Sequence, residues 1–296
     1  MSAAATNLGR LVQTTLLGEV TGPELRETPY QVASNGQAFV PIGCGGIRYN
    51  VRVGMSAFGW AGDQVQPGVS ISNLLPGPNR ALSTYACVGN GVRVRSGAAA
   101  GATGVVTGKH EQFNCFQQVL IDLPAEAVEM LAPGDHVVVD AIGRGLQAEA
   151  APEIVLHSLG PQLWDAWAPT ASIGGLSVRV AHLVPPRLVG IGSGRISATT
   201  SITIQTPDAV LAEYPGLGQL RLGDLVAIQD WDGAFNTGYR EGSLLVGVVV
   251  HGASRLPGYG VGVTILMSAR DGLLVPLLDP GANLAELLRI GTKEQG

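Results

Sequence analysis

Short apolar segments punctuated by glycine run through the sequence and predict a β-rich protein. Residues 244–250 are almost wholly apolar, which is typical of a strand covered on both faces. Residues 262–267 predict a shorter buried strand. Residues 47–53 alternate apolar and polar side chains with the period of a strand that has one dry face. Residues 97–104 are glycine and alanine apart from one threonine, which favours a flexible surface loop.

Helices are predicted to be few and short. The pattern favours helices over residues 125–131, 208–213 and 283–290. Asn283 is a good N-cap for the last of these, and Glu286 stands three residues later, as in a capping box.

Two segments share one order of elements and predict an internal duplication. In the first, residues 118–123 form a strand, Pro124 opens a short helix, and a Gly-Asp turn at 134–135 leads into another strand. The second repeats this order from residue 201 to residue 230. A glycine-punctuated strand precedes each copy, at 104–108 and at 194–197. We therefore divide the chain into halves at 1–160 and 161–296.

The composition narrows the fold class. Charged residues make up only 14% of the chain, so too little charge is present to keep it solvated as a disordered protein. The 42 glycines and 18 prolines follow no collagen-like period and suit many short strands and tight turns. The expected fold is α+β and β-rich, with mixed or antiparallel, barrel-like sheets and few short helices.

Charge and cysteine usage restrict the partners and the compartment. The net charge is −5 with no basic run, which argues against nucleic-acid binding. Three cysteines without a C-x-x-C pair favour buried or free thiols of a reducing compartment over a disulfide framework. No apolar run is long enough to span a membrane, and the first twenty residues do not look like a signal peptide. We expect a cytoplasmic protein with no membrane partner, and a homo-oligomer because so apolar a chain can bury further surface.

Residues 230–241 form the densest polar segment after a buried strand. Asp230 and Asp232 can ligate one cation, or act as an acid and a base if their environments differ. Tyr239 and Arg240 can polarise or clamp an anionic substrate. The alternative interpretation is an Asp-rich turn whose carboxylates cap backbone amides while the other side chains are solvated.

Two histidines stand at predicted strand ends. A hairpin would bring His251 close to Asp230 and Asp232, where the three could share a metal or a proton. His110 is a second candidate base, and Lys109 beside it can bind an anionic group. The alternatives are a structural hydrogen-bond donor at His251 and a solvated turn at 108–110.

Three further residues complete the predicted substrate-binding set. Asp63 lies in a glycine-rich turn segment, where it can bind substrate or cap amides. Tyr259 belongs to the glycine-rich segment 257–262, whose amides can approach a ligand closely. Arg48 lies on the alternating segment 47–53. No glycine-rich segment has the strand-to-helix setting of a dinucleotide site, so NAD and ATP are not expected.

The sequence resembles a bacterial and archaeal family named domain of unknown function 4438. The resemblance runs through most of the chain and is carried by residues 45–54, 59–63, 67–70, 108–110, 131–135, 223–228 and 248–251. It implies relatedness and shared site positions but no reaction, because the family name carries no activity.

Three departures from the family pattern bear on the site. The pattern implies a histidine shortly after Lys-His, another after Asp-x-Asp, and a Gly-His-Gly-Pro-Gly loop. Here residues 111–118 contain no histidine, Gly233 follows the aspartates, and residues 258–262 read Gly-Tyr-Gly-Val-Gly. The departures put an inherited metal site in doubt and fit altered chemistry or binding without turnover.

The functional prediction is a hydrolase or lyase that acts on a polar metabolite in a pocket between the two halves. The alternative is a non-catalytic metabolite-binding or oligomeric scaffold protein. No cofactor is certain, and a divalent metal, if bound, is predicted on Asp230, Asp232 and His251.

Overall fold

The chain folds into a barrel, a larger mixed sheet and two small sheets. The computed structural model describes residues 3–23, 29–112, 115–190 and 192–291, with the backbone alone for residues 112, 115 and 116. The strands are β1 Thr14–Val20, β2 Gln31–Val32, β3 Ala38–Phe39, β4 Val69–Ser72, β5 Gly91–Val94, β6 Thr103–Gln112, β7 Cys115–Asp122, β8 His136–Ala141, β9 Val155–Leu156, β10 Thr170–Ser172, β11 Gly175–Val180, β12 His182–Val184, β13 Ser201–Ile204, β14 Leu225–Asp232, β15 Gly238–His251, β16 Val261–Ala269 and β17 Leu274–Leu278. The α-helices are α1 Pro76–Tyr85, α2 Ala125–Met130, α3 Pro161–Trp167, α4 Asp208–Glu213 and α5 Leu284–Leu288.

Six antiparallel strands of the first half close into a barrel in the order β1-β4-β7-β6-β5-β8. Every second side chain along these strands points into the barrel and fills it. On β5, Val92 and Val94 are buried and Arg93 between them is exposed. On β8, Val137 and Val139 are buried. The expected β-rich fold with a barrel-like sheet is confirmed.

A mixed sheet dominates the second half, in the order β12-β14-β15-β16-β13, with β9 added beside β16. The apolar run 244–250 forms half of the fourteen-residue strand β15, and it is a strand as predicted. Val246, Val248 and Val250 face one apolar cluster, whereas Leu245 and Val249 face another. Because both faces are covered here, residues 244–250 of this strand are almost all apolar, whereas its first residues are exposed and more polar. A smaller sheet, β10-β11-β17, and the β2-β3 hairpin complete the fold.

Strand β6 of the barrel packs directly on the mixed sheet. A Cβ atom on Gly108 would lie 2.2 Å from Val250 Cγ1, so only glycine permits this approach. At the next residue, the Lys109 N–H donates to Thr264 Oγ1 over 2.9 Å, and the same hydroxyl donates to the Lys109 carbonyl over 2.7 Å. The junction therefore presents residues 109 and 110 of the barrel to the second half.

Both copies of the predicted repeat form strand, helix, turn and strand. Gly134 and Gly223 have φ of +92° and +89°, which favours glycine at both turns. The following aspartate caps the turn in each copy: Asp135 accepts the Ala132 N–H over 2.9 Å, and Asp224 accepts the Arg221 N–H over 2.7 Å. This shared geometry fits a duplication.

Two strand predictions are wrong. Residues 194–197 form turns rather than a strand, because Gly194 has φ of +76° and the segment hydrogen-bonds to the loop at 235–237 instead of a sheet. Residues 47–53 contribute one isolated bridge, from Ile47 to Val69. Their alternation arises because Val51 and Val53 are buried within an irregular segment bracketed by glycines at positive φ.

The helix and cysteine predictions have mixed outcomes. Asn283 caps α5 by accepting the Ala285 N–H, as expected, whereas α1 and α3 were not predicted although each begins at a proline.

Cys44 is disulfide-bonded, so the expectation of free thiols is wrong for it, while Cys87 is a buried free thiol. Over the described residues, the helices are all too short or too polar to cross a bilayer.

Candidate active site

Two histidines from opposite halves of the chain meet in the interior. His110 lies on β6 of the barrel and His251 ends β15 of the mixed sheet. Their ring centroids are 4.2 Å apart with the planes tilted by 34°, and both side chains are wholly buried. Gly262 pairs with His251 on β16, and a Cβ atom there would lie 1.9 Å from His251 Nε2, so this neighbour must be glycine. We call His110 and His251 the histidine pair.

Hydrogen bonds around Gln66 set the tautomer of His110. Gln66 Oε1 accepts the Gly45 N–H over 2.8 Å and the Ser70 hydroxyl over 2.7 Å, which fixes the orientation of the amide. Gln66 Nε2 must then donate, and it does so to Gln118 Oε1 over 3.1 Å and to His110 Nδ1 over 2.6 Å. Because Nδ1 is an acceptor, the proton of the neutral His110 ring is on Nε2. That buried Nε2 has no hydrogen-bond partner in the described part of the chain.

His251 takes the opposite tautomer. Its Nδ1 lies 2.9 Å from the carbonyl oxygen of Gly252, which can only accept. Nδ1 therefore carries the proton, and Nε2 carries the lone pair. The histidine pair thus combines one Nε2–H donor with one basic Nε2.

Burial keeps both rings neutral at pH 7. Burial lowers the pKa of His251 to about 4, partly offset by the hydrogen bond to Gly252. The pKa of His110 lies well below its ordinary value because of burial, with a further contribution from the neighbouring His251.

A cavity of about 330 Å³ begins at Gly252, one residue after His251, and its lining residues do not include either member of the histidine pair. Gly252, whose carbonyl binds His251, is one of its lining residues, as is Val65, the neighbour of Gln66. Asp63 holds this wall in place: it accepts the Ser254 hydroxyl over 3.0 Å and the Arg255 N–H over 2.6 Å. The remaining lining residues are Ala57, Phe58, Gly59, Trp60, Gly62, Ala253, Ser254 and Arg255. The cavity is large enough for a small metabolite.

Of the predicted substrate-binding residues, Asp63 is hydrogen-bonded to the cavity wall, and Tyr259 lies close enough to Asp63 to feel its charge. Burial raises the pKa of the Asp63 carboxyl, while its hydrogen bonds oppose that shift. Burial also raises the pKa of Tyr259, whose phenol feels the charges of Arg195 and Asp63. The hydrogen bonds of Asp63 to Ser254 and Arg255 hold the loop at 252–255 in place. This matches the alternative in which the Asp63 carboxylate caps backbone amides.

Lys109 points away from the histidine pair, because neighbours on a strand face opposite sides. Its wholly buried Nζ donates to Ser158 Oγ and to the Ala198 carbonyl, both over 2.9 Å. Burial lowers the pKa of Lys109 to about 8. The lysine links the barrel to the second half through its bond to the Ala198 carbonyl.

The expected meeting of His251 with Asp230 and Asp232 does not occur. Gln229 pairs with Leu244, which lies seven residues before His251 on β15. At about 3.3 Å per residue, this separates Asp230 from His251 by on the order of 20 Å. The prediction failed because the aspartates lie at one end of a long strand and the histidine at the other.

At the hairpin end, which we define as residues 230–241, the aspartates are already hydrogen-bonded. Asp230 accepts the Gly242 N–H over 2.9 Å. Asp232 accepts from Arg270 Nε over 2.8 Å, from Ser268 and from the Ala234 N–H. Tyr239 and Arg240 are exposed to solvent. This matches the alternative of an Asp-rich turn.

The predicted metal-ligand set does not converge. Within the described ranges, no three His, Cys, Asp or Glu side chains lie close enough together to hold a metal ion. The carboxylates of Asp230 and Asp232 are on the order of 20 Å from His251, as the strand register requires.

The sequence prediction overlooked Gln66, Gln118 and Ser70. All three are buried, and together they orient His110. The signal was faint: uncharged polar residues inside apolar stretches, such as Gln118 before Val119 in a predicted strand. Buried amides need hydrogen-bond partners, so such positions point to an interior polar network.

Comparisons with known proteins give a family but no activity. The family model described as Domain of unknown function (DUF4438), N-terminal, matches residues 30–165, and the corresponding C-terminal family model matches residues 166–288. The crystal structure of TM1086 is similar, with a TM-score of 0.90 and 36% sequence identity over 96% of this chain and 99% of that chain. No curated protein matches significantly. Together these matches show that the chain belongs to the DUF4438 family.

Proposed function

We propose that the protein is a small-molecule enzyme that performs acid–base chemistry of the hydrolase or lyase type on a polar metabolite. The observation that carries this proposal is the histidine pair, two neutral buried imidazoles with opposite tautomers contributed by opposite halves of the chain. The cavity that begins at Gly252, next to His251 in the chain, offers the volume that a small substrate requires.

Each ring has a distinct role in this scheme. His251 Nε2 takes a proton, either from a carbon next to a carbonyl group or from an attacking water molecule. His110 Nε2–H donates a hydrogen bond to the oxygen on which negative charge develops. A neutral imidazole is suited to this second role, because it can donate without first gaining a proton.

The low pKa of His251 agrees with a site that is completed by its substrate. A base whose pKa is about 4 binds protons weakly at neutral pH. A negative charge placed beside the ring favours the imidazolium and raises the pKa of His251 towards neutrality. Substrate binding would thus activate the base.

An unpaired buried donor favours an enzyme over a scaffold. A buried N–H group without an acceptor costs about 1–3 kcal/mol, and an apolar residue in its place would avoid that cost. The Nε2–H of His110 is such a group in the described structure. A ligand oxygen that accepts this hydrogen bond would offset that cost and would use the donor for binding.

The proposal is tested by comparing how the wild-type protein and three variants consume compounds in a metabolite extract, followed by mass spectrometry. His251→Gln and His110→Gln remove the base and the donor, and each is expected to slow turnover by about 10²–10⁴-fold. His136→Gln is the matched control, because His136 is half exposed and lies 3.8 Å from Glu19, on the barrel strands.

The two outcomes are distinct. Consumption of a compound by the wild type and the control, with loss in both site variants, supports the proposal. Consumption that survives in folded His251→Gln and His110→Gln contradicts it. A compound that binds and stabilises the wild type but is recovered unchanged identifies a binding protein instead.

A further inference from the structure

Arg48 is a partly buried cation that has no counter-charge among the residues that the structure describes. Its Nε and Nη2 atoms are buried, and neither has a hydrogen-bond partner among the described residues. Those two nitrogens form the edge of the guanidinium that usually binds a carboxylate or phosphate in a bidentate manner. Within the described chain, Arg48 also makes no ion pair at 4.0 Å or less.

The nearby Arg52 shows how the same region treats a buried arginine that has a structural role. Arg52 Nη1 lies 3.9 Å from Asp122 Oδ1 and donates to the Leu123 carbonyl over 3.2 Å. Arg52 therefore links the irregular segment to the barrel. For Arg48, four residues earlier, Nε and Nη2 have neither kind of partner among the described residues.

Burying a charge without a partner is unfavourable, so a protein that keeps such a residue needs a compensating interaction. Removing an ion from water costs several kcal/mol unless an opposite charge or strong hydrogen bonds offset it. Burial lowers the pKa of Arg48. A bound oxyanion would supply both the charge and the two acceptors.

Arg48 connects to the histidine pair through two glycines. A Cβ atom on Gly46 would lie 3.3 Å from Arg48 Nη1, so the guanidinium lies against this glycine. The adjacent Gly45 N–H donates to Gln66, whose amide donates to His110. Arg48 and His110 thus flank one short hydrogen-bonded connection, and both have buried donors without acceptors.

We propose that Arg48 binds an oxyanion group of the substrate, a carboxylate or a phosphate, while the histidine pair acts on the neighbouring part of the same molecule. This inference rests on the proposed function and adds the substrate class to it. The bound anion also provides the negative charge that would make His251 a stronger base.

The test measures anion binding rather than turnover. Inorganic phosphate and malonate serve as probes, each titrated at constant ionic strength and followed by calorimetry and thermal unfolding. Wild-type protein should bind one of them saturably, and Arg48→Met should weaken that binding at least about tenfold. The two probes distinguish a phosphate from a carboxylate site. Arg93→Met is the control, since Arg93 is half exposed on the barrel near Asp140.

A second readout separates a ligand-binding arginine from a structural one. Without any probe, Arg48→Met should raise Tm by about 2 °C or more, because an unpaired charge leaves the interior. A structural arginine would lower Tm when removed. If Arg48→Met does not fold, Arg48→Lys keeps the charge without the planar fork and should still weaken probe binding.

Three results overturn the inference: unchanged probe binding in the folded Arg48 variant, a fall in its Tm without probe, or stabilisation of the wild type by neither probe beyond that of sodium chloride. The histidine variants fail or succeed independently. Unchanged anion binding in Arg48→Met with lost turnover in His251→Gln refutes the anion site and leaves the acid–base function standing.

Discussion

The hairpin end and the histidine pair differ in how well their polar groups are satisfied. At the hairpin end, Asp230 and Asp232 accept hydrogen bonds from backbone amides, Ser268 and Arg270. In the histidine pair, both rings are wholly buried, and the Nε2–H of His110 has no acceptor in the described structure.

This difference explains why density of polar residues is a poor guide to a site. Adjacent aspartates and an arginine attract attention in a sequence, yet here they complete a turn. A functional group must keep some bonding capacity for a ligand, and that capacity shows only when burial and partners are known. Among the described residues, His110 and Arg48 keep such capacity, whereas both carboxylate oxygens of Asp232 already accept hydrogen bonds.

The largest expected effect is the loss of turnover by about 10²–10⁴-fold in His251→Gln and His110→Gln. The next largest effect is expected on the free energy of unfolding at acid pH, to which buried histidines contribute more than the aspartates of the hairpin end. The pKa of His251 and that of His157 are both lowered to about 4 by burial, whereas an unfolded histidine titrates near 6.5. His251 faces His110, and His157 feels Arg144, Lys109 and Asp232.

The sign follows from proton counts. Between pH 6.5 and about 4 the unfolded chain binds more protons than the folded one, so the free energy of unfolding falls as the pH falls, by up to about 3 kcal/mol for each histidine. For Asp232, burial raises the pKa, but hydrogen bonds from Ala234 and Arg270 outweigh it and hold the pKa below 3.8, so its contribution is lost only below that pH.

Urea unfolding from pH 7.5 to pH 4 measures this effect. His251→Gln should show a shallower loss of stability than the wild type, while His136→Gln should follow the wild type. Parallel curves for wild type and His251→Gln would mean that the ring is not held neutral by the fold.

A smaller effect is expected at the hairpin end. Asp232→Ala removes the acceptor for Arg270, Ser268 and the Ala234 N–H, so the free energy of unfolding should fall by about 1–3 kcal/mol. Turnover should stay within about twofold of the wild type. Tyr239→Phe, at an exposed position, should change stability by less than about 0.5 kcal/mol. Loss of turnover in folded Asp232→Ala would return the hairpin end to the catalytic site.

Elements with strong local patterns could be predicted from the sequence. The apolar run in β15, the Gly-Asp turns of both repeats and the Asn283 cap all depend on neighbouring residues, and all three were predicted correctly. The strand predicted over residues 47–53 is wrong because the burial of Val51 and Val53 produces the alternation of a strand in a segment that pairs with no other strand beyond one isolated bridge.

The site depends on contacts between distant residues, which local patterns do not reveal. His110 and His251 were selected singly, but their contact follows from the packing of β6 on the mixed sheet at Gly108. The role of Gln66 depends on Gly45, Gln118 and His110 together. A neutral polar residue that is 44 positions from its histidine partner leaves no spacing signal.

The opposite tautomers of the histidine pair are the basis of the proposed chemistry, and nitrogen NMR measures them directly. Protein labelled with ¹⁵N in histidine, studied at pH 7 and assigned with His110→Gln and His251→Gln, separates protonated from unprotonated ring nitrogens. The expected result is a neutral His110 protonated on Nε2 and a neutral His251 protonated on Nδ1. Two rings in the same tautomer, or either ring charged, would contradict the assignment of donor and base.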